Sequence, residues 1–333
     1  MSNVHRLRLA VAGCAASILL VACGGGGGGD NNTASTPTPA PTVSTNTGNA
    51  GGSGGTSTTP APVTGAPALT GDIATDGLNW INFRRSQAGV GQLTRNSLID
   101  QAALGHSNYQ KTNNTVTHVQ TAGNPGFTGA GLADRLAKAG YVFNVNASRA
   151  YGEVISATNN GSGVYMAEEL ITAIYHRFVM FEPMFKELGS GAATTSAGYT
   201  YFTTDFAANN GYGTGINGIV VWPYSGQTSV APNFFSDYES PDPVPDQNEV
   251  GYPVSVHANI NTALTVQTFT IQPRGGSVLN VKLLAHAGDA ETPASAAAIV
   301  PLAPLKAATV YDVAFAGAVN GVPVTQNWSF TTK

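Results

Sequence analysis

The sequence predicts an α+β domain followed by an all-β sandwich, the two carried behind an unstructured N-terminal segment. Three observations predict it. Helical apolar patterns come first, between about Leu78 and Tyr175, and period-two strand patterns come after, between Glu187 and Trp222, which points to segregated α+β layering and not to a doubly wound sheet. A Pro-rich stretch, Ser240 to Asp246, is followed by six short strand patterns in the remaining residues, the count and spacing of a β-sandwich. Residues 23–71 are almost wholly Gly, Thr, Ser, Pro, Asn and Ala, a composition that cannot bury enough apolar surface to offset chain entropy.

At 333 residues the chain is long enough for two folded units, and 42% hydrophobic residues are enough for real cores. The formal charge of -4, with no Lys/Arg cluster, excludes a nucleic-acid-binding footprint. Both cysteines, Cys14 and Cys23, precede the folded units, so these have neither a disulfide nor a thiolate metal site to rely on.

Residues 1–22 read as a secretory leader. Arg6 and Arg8 precede an apolar run, Leu9 to Ala22, that is shorter than the about 20 residues a spanning helix needs. The run ends Leu20-Val21-Ala22-Cys23. This resembles the bacterial lipobox, which implies cleavage before Cys23, acylation of that cysteine and a partner membrane held through the lipid. Removing the leader takes the formal charge from -4 to -6, because Arg6 and Arg8 go with it. Gly24 after the cysteine points to the outer membrane or cell surface if the source has two membranes. Residues 23–71 then form a disordered tether.

In residues 72–239, Leu78, Trp80, Ile81 and Phe83 predict an amphipathic helix that stops near Gly89. Ser97 is the expected N-cap of a second helix, Leu98 to about Lys111. Leu132, Leu136 and Ala139 mark a third, stopped by Gly140, and a fourth runs from about Val164 to Tyr175. Strands follow at Glu187–Ala192, Tyr199–Phe206 and Gly218–Trp222.

The residues that carry chemistry are few, because charged residues are only 10% of the chain. His118, Glu153 and His176 each lie at or beside an apolar segment, and the expectation is that the fold gathers them in one cleft. Neutral imidazoles and a carboxylate suit zinc or another divalent cation, with an open position for water or ligand. Gly105-His106-Ser107 sits inside a helix and not at a strand-to-helix elbow, and Gly213-Thr214-Gly215-Ile216-Asn217-Gly218 precedes a strand and is expected to be a hairpin loop, so neither motif carries a hydrolase or a dinucleotide site.

Taken in order, Leu98-Ile99-Asp100-Gln101-Ala102-Ala103, His106-Ser107, His118, Arg135 with Ala139-Gly140-Tyr141, Gly152-Glu153, His176-Arg177 and Pro183 with Gly189-Ser190-Gly191 resemble the bacterial branch of the CAP superfamily, the SCP-like proteins. The resemblance implies a three-layer α-β-α sandwich whose cleft holds two histidines and acidic residues and, in several members, a divalent cation. His118 and His176 match the two histidines and Glu153 the glutamate of the Gly-Glu-Asn phrase, although Val154 stands where Asn is usual. The second glutamate has no clean counterpart. Glu169 is the nearest candidate, seven residues before His176 and, if both are helical, about 10.5 Å from it along the axis.

Residues 240–250 read as a semi-rigid connector and 251–333 as the sandwich, with strands at Tyr252–Val256, Leu264–Ile271, Val278–Leu284, Ala298–Leu302, Val310–Gly317 and Gln326–Thr332. Trp328-Ser329-Phe330 near the end resembles bacterial Ig-like modules, without their disulfide. Arg177 is expected to orient the cleft or pair with a carboxylate; Glu168, His257 and His286 are expected at the surface or in turns. The function expected is a lipid-anchored envelope protein that binds a cation or a small-molecule, lipid or peptide ligand in the His/Glu cleft. The alternatives are a metal-dependent hydrolase with Glu153 as general base, or an adhesin with a vestigial cleft.

Overall fold

The computed structural model describes residues 17–24, as a backbone strand, and residues 65–333. The expected tether lies, from residue 25 to 64, outside the described residues, as does the leader up to residue 16. No helix among the described residues is long and apolar enough to cross a membrane.

The first unit is a sheet between two layers of helices. Helix α1 (Ile73–Gln87) starts where Asp72 caps Thr75. In α2 (Ser97–Asn113) the cap is Asn96, not Ser97, because the Asn96 side chain accepts from the Leu98 N–H. Helix α3 (Leu132–Lys138) ends before Gly140, whose φ of +92° reverses the chain. The fourth expected helix is two: α4 (Gly163–Thr172) and α5 (Ile174–Met180), broken at the extended Ala173. The break invalidates the single-axis spacing expected between Glu169 and His176.

The sheet runs β2 (Thr94–Arg95), β4 (Glu187–Thr194), β5 (Thr200–Ala208), β3 (Arg149–Thr158), β1 (Ser17–Gly24), β8 (Glu239–Ser240). The long strand β3 had no strand expectation. It lies between α3 and α4, so helices and strands are less segregated in sequence than the patterns suggested. Its Ala-Tyr-Gly-Glu-Val-Ile-Ser-Ala run is mostly buried, and buried strands lose the alternation that marks half-exposed ones. Helix α2 packs on β4 and β5, while α4 and α5 pack on β3. Gly189 and Gly191 permit this closeness: a Cβ on either would run into the α2 backbone at Asp100 or Leu104.

The second unit is a two-sheet antiparallel sandwich, as expected. One sheet is β12 (Val281–Ala285), β13 (Ala296–Pro301), β10 (Val254–His257) and β6 (Val220–Trp222); the other is β11 (Leu264–Pro273), β14 (Val310–Val319) and β15 (Val322–Thr331). Strand β6, expected to close the first unit, belongs instead to the sandwich, where Trp222 pairs with Ser255. The Gly213–Gly218 stretch is therefore a crossover between units and not a hairpin loop. Asn259 fastens it by accepting from the Ile216 N–H and donating to the Ile216 carbonyl. The expected connector is the loop closed by β7 (Asn233–Phe235) pairing with β9 (Glu249–Gly251).

One continuous core runs through both units, from Ile81 and Phe178 to Val256, Ile299 and Phe330. Buried polar groups stitch the seam. Arg177 neither orients the cleft nor pairs with a carboxylate: it donates to the carbonyls of Ile171, Thr172 and Pro253 and to Ser255 Oγ. His257, expected at the surface, is 2% exposed, bonded to Ser255 Oγ and edge-on to Phe178 and Phe181. Glu168, expected on a solvated face, binds Arg84 at 2.9 Å and accepts from the Trp80 indole. Trp328, the centre of the disulfide-free sandwich, satisfies its indole N–H on the Pro223 carbonyl.

Candidate functional site

Glu153 comes from the middle of β3, directly opposite Asp205 on β5. Alternation along β5 puts Asp205 on the same face as Thr203, and Thr203 bonds Ser107 of α2, so both acids face the α2 layer. Ser107 also donates to the Gly191 carbonyl, which makes it a buried structural hydroxyl.

Into this face the Thr117–Gln120 loop carries His118. Its Nδ1 lies 2.8 Å from Glu153 Oε1. Arg135 of α3, 1% exposed, donates to Glu153 Oε2 at 2.6 Å and to the His118 carbonyl at 2.9 Å, so one guanidinium holds both the carboxylate and the backbone of its imidazole partner. His106 stands behind, its Nε2 4.0 Å from Glu153 Oε1. Its bonds fix its state. Gln120 Nε2 donates to Nδ1, which must then be bare, and Nε2–H donates to the Thr117 carbonyl. That is a neutral imidazole, in accord with a pKa that burial pushes down to about 4.

Burial works to raise Glu153, yet the carboxyl is held well below the usual range by the opposing charges of His106 and Arg135 and by the His118 bond. Because His106 is neutral near pH 7, Arg135 is the permanent member of that set. Asp205 is driven the other way, far above its usual value, by burial and by the charge of Glu153. The pair therefore carries one negative charge, on Glu153, and a protonated acid on Asp205. An ionised Glu153 can only accept, so His118 donates through Nδ1–H; its Nε2 is buried without a partner.

The structure does not join His176 to this group. His176 belongs to α5, on the other helical layer, and its Nδ1 lies 2.9 Å from Glu239 Oε1. Glu239 also accepts from the backbone N–H groups of Ile174, Tyr175 and His176, capping the N-terminus of α5. The Nε2 of His176 is, like that of His118, buried and unpartnered. Glu239, not Glu169, is thus the carboxylate at the second histidine. Nothing local announced it, since it lies 63 residues beyond His176. Asp205 carried a readable signal, as the one charged residue of a buried strand; His106, in a half-exposed helix with Asp100 and Lys111, did not.

Glu169 lines a separate cavity of about 400 Å³ with Ser156, Tyr165, Leu170, Phe234 and Tyr238. Burial pushes its carboxyl up, opposed by the bond from Ser156.

Residues 78–206, which contain β3, His106, His118, Arg135 and Asp205, match the model of the cysteine-rich secretory protein family, CAP. They form a CAP domain. Among solved structures, the chain is similar to an extracellular protein containing an SCP domain from Bacillus anthracis (25% identity, TM-score 0.34), over 40% of this chain and 39% of that one. It is also similar to an outer surface protein of Borrelia burgdorferi (15% identity, TM-score 0.32), over 40% of this chain and 89% of that one. A cysteine-rich secretory protein from Staphylococcus aureus matches at 16% identity and TM-score 0.29, over 44% and 40% of the two chains. A comparison with curated proteins finds no match.

As metal ligands, the two CAP-domain histidines fit in their chemistry. Each is oriented through Nδ1 by a carboxylate, the arrangement that holds a ligating imidazole and raises its basicity, and each leaves Nε2 free. No cluster of three or more His, Cys, Asp or Glu side chains placed to hold a metal ion occurs among the described residues.

Proposed function

We propose that the chain is an exported, lipid-anchored CAP-domain protein of the cell envelope, with Cys23 as the acylated residue. On this reading each of its two carboxylate-held imidazoles offers its Nε2, at a separate place in the fold, to a divalent cation such as zinc or to a ligand that reaches it. The observation that carries it is the matched pair of buried, unpartnered Nε2 atoms on His118 and His176. Their carboxylates come from β3 and β8, the strands on either side of β1. The leader pattern and lipobox support export, and the family's own description as secretory agrees.

The residues' work at these places is orientation. Glu153 and Glu239 fix the tautomers, Arg135 neutralises Glu153 and anchors the His118 backbone, and Asp205 remains protonated. A cation at either place would receive its imidazole contact from the Nε2 atom there. The hydrolase alternative is weakened by the same geometry. A carboxylate clamped by Arg135 and held far below the usual range is a poor general base near neutral pH.

The test is zinc titration of the processed protein beginning at residue 23. His118→Ala and His176→Ala should each remove the binding that belongs to its own imidazole, and Glu153→Gln should weaken binding at His118 by roughly 10–100-fold, the usual cost of losing an orienting partner. Parent-like binding in both histidine variants overturns the reading. Anchoring is tested apart from this: Cys23→Ser should move the protein from the membrane to the soluble fraction.

A further inference from the structure

The chain's own N-terminal segment lies as a strand along the outer edge of β3. Ser17–Gly24 lies there parallel to β3, in register from Ser17 with Arg149 to Cys23 with Ile155, and turns its far edge to β8 through Cys23 with Ser240. Helix α5 packs over it. The sequence Ser-Ile-Leu-Leu-Val-Ala-Cys-Gly is nearly continuous in apolar residues.

These residues have a second fate, on the reading that the leader is cut before Cys23. Cleavage removes six of the eight residues of β1 (Ser17 to Ala22) and leaves Cys23 and Gly24. The outer edge of β3 then presents a row of backbone donors and acceptors in a mostly buried strand, where unpaired groups are costly. A free ladder edge beside helix α5 is a strand-addition site.

We infer that in the processed protein the outer edge of β3 binds an extended apolar peptide, added parallel to it, and that the uncleaved leader is its internal occupant. Main-chain pairing with Arg149–Ile155 supplies the affinity. This goes beyond the proposed function and rests on its lipid-anchor part only for leader removal.

The test uses the processed protein with Cys23→Ser and a fluorescein-labelled peptide of the Ser17–Gly24 sequence carrying the same substitution. The peptide should bind by fluorescence anisotropy and slow amide exchange across Arg149–Ile155. A peptide with Leu19→Pro and Leu20→Pro, which cannot complete the ladder whichever residue faces β3, should bind at least roughly tenfold more weakly. No binding, equal binding of the proline peptide, or unchanged exchange overturns the inference. If the processed variant does not fold, the uncleaved chain decides. With Cys14→Ser and Cys23→Ser in the background, Leu19→Cys and Tyr151→Cys, partners in the register, should form a disulfide, and its absence overturns the inference. Zinc titration reads the histidines independently, so failure of one proposal is distinguishable from failure of the other.

Discussion

The CAP domain and the sandwich are built on different physics although they share a core. The CAP domain buries Arg85, His106, Arg135, Glu153, His176, Arg177, Glu182 and Asp205, while β10 to β15 bury His257 and a few hydroxyls. A buried charge is tolerable only with a partner, so each one in the CAP domain must be explained by another group. The sandwich needs only alternation and volume. Chemistry concentrates where burial is electrostatically expensive, and the unit without it is a packing module that fastens the other through Arg177 and Glu182.

The largest expected effect tests the electrostatic half. Arg135→Met leaves the buried Glu153 without its permanent counter-charge, and urea unfolding should show a loss of about 3–5 kcal/mol, with zinc affinity falling too. The counterpart in the sandwich is Ile299→Ala, at a fully buried position. It should cost about 2–5 kcal/mol through lost packing and leave zinc affinity unchanged. Loss of zinc binding in this variant would dissolve the distinction between the units.

A smaller effect sharpens it with pH. Burial pushes His106 down to about 4 and His257 down to about 3, against about 6.5 in an unfolded chain. Between those values the unfolded state takes up the proton and the folded state does not, so this contribution is intact above pH 6.5 and lost as pH falls towards 4 and 3 respectively. Glu182, pushed up to about 8 chiefly by burial, has the opposite sign: it favours the fold below pH 4.5 and that support is lost as pH rises to 8. Unfolding midpoints from pH 8 to 4 should therefore fall more steeply with acid in Glu182→Gln than in the parent, and less steeply in His257→Asn. The smallest effect is on the sandwich surface. Arg274→Ala breaks an exposed pair with Asp312 and should leave the melting temperature unchanged within error.

Much of this was legible in the sequence. The six sandwich strands could be read because Tyr311, Val313 and Phe315 alternate with less buried residues, and α1 to α3 because apolar spacing and, after α1 and α3, the stop glycines Gly89 and Gly140 are local signals. Strand β3 escaped because both of its faces are covered. The α4–α5 break escaped because Ala173 bears no mark of it. At the site, the sequence put His118, Glu153 and His176 in one cleft, whereas the structure sets His118 on Glu153 and His176 apart on Glu239, because the partners lie far along the chain.

By itself the sequence determined the number of folded units, the class of each, and which imidazoles and acids were too few and too buried to be incidental. Composition and periodicity are properties of neighbours along the chain, and they suffice for that. Only the tertiary structure decided which acid meets which histidine, that Asp205 keeps its proton while Glu153 gives one up, and that β6 crosses into the sandwich. Those outcomes depend on a few ångströms between groups up to about 60 residues apart, and on burial that exists only once both helical layers have closed on the sheet.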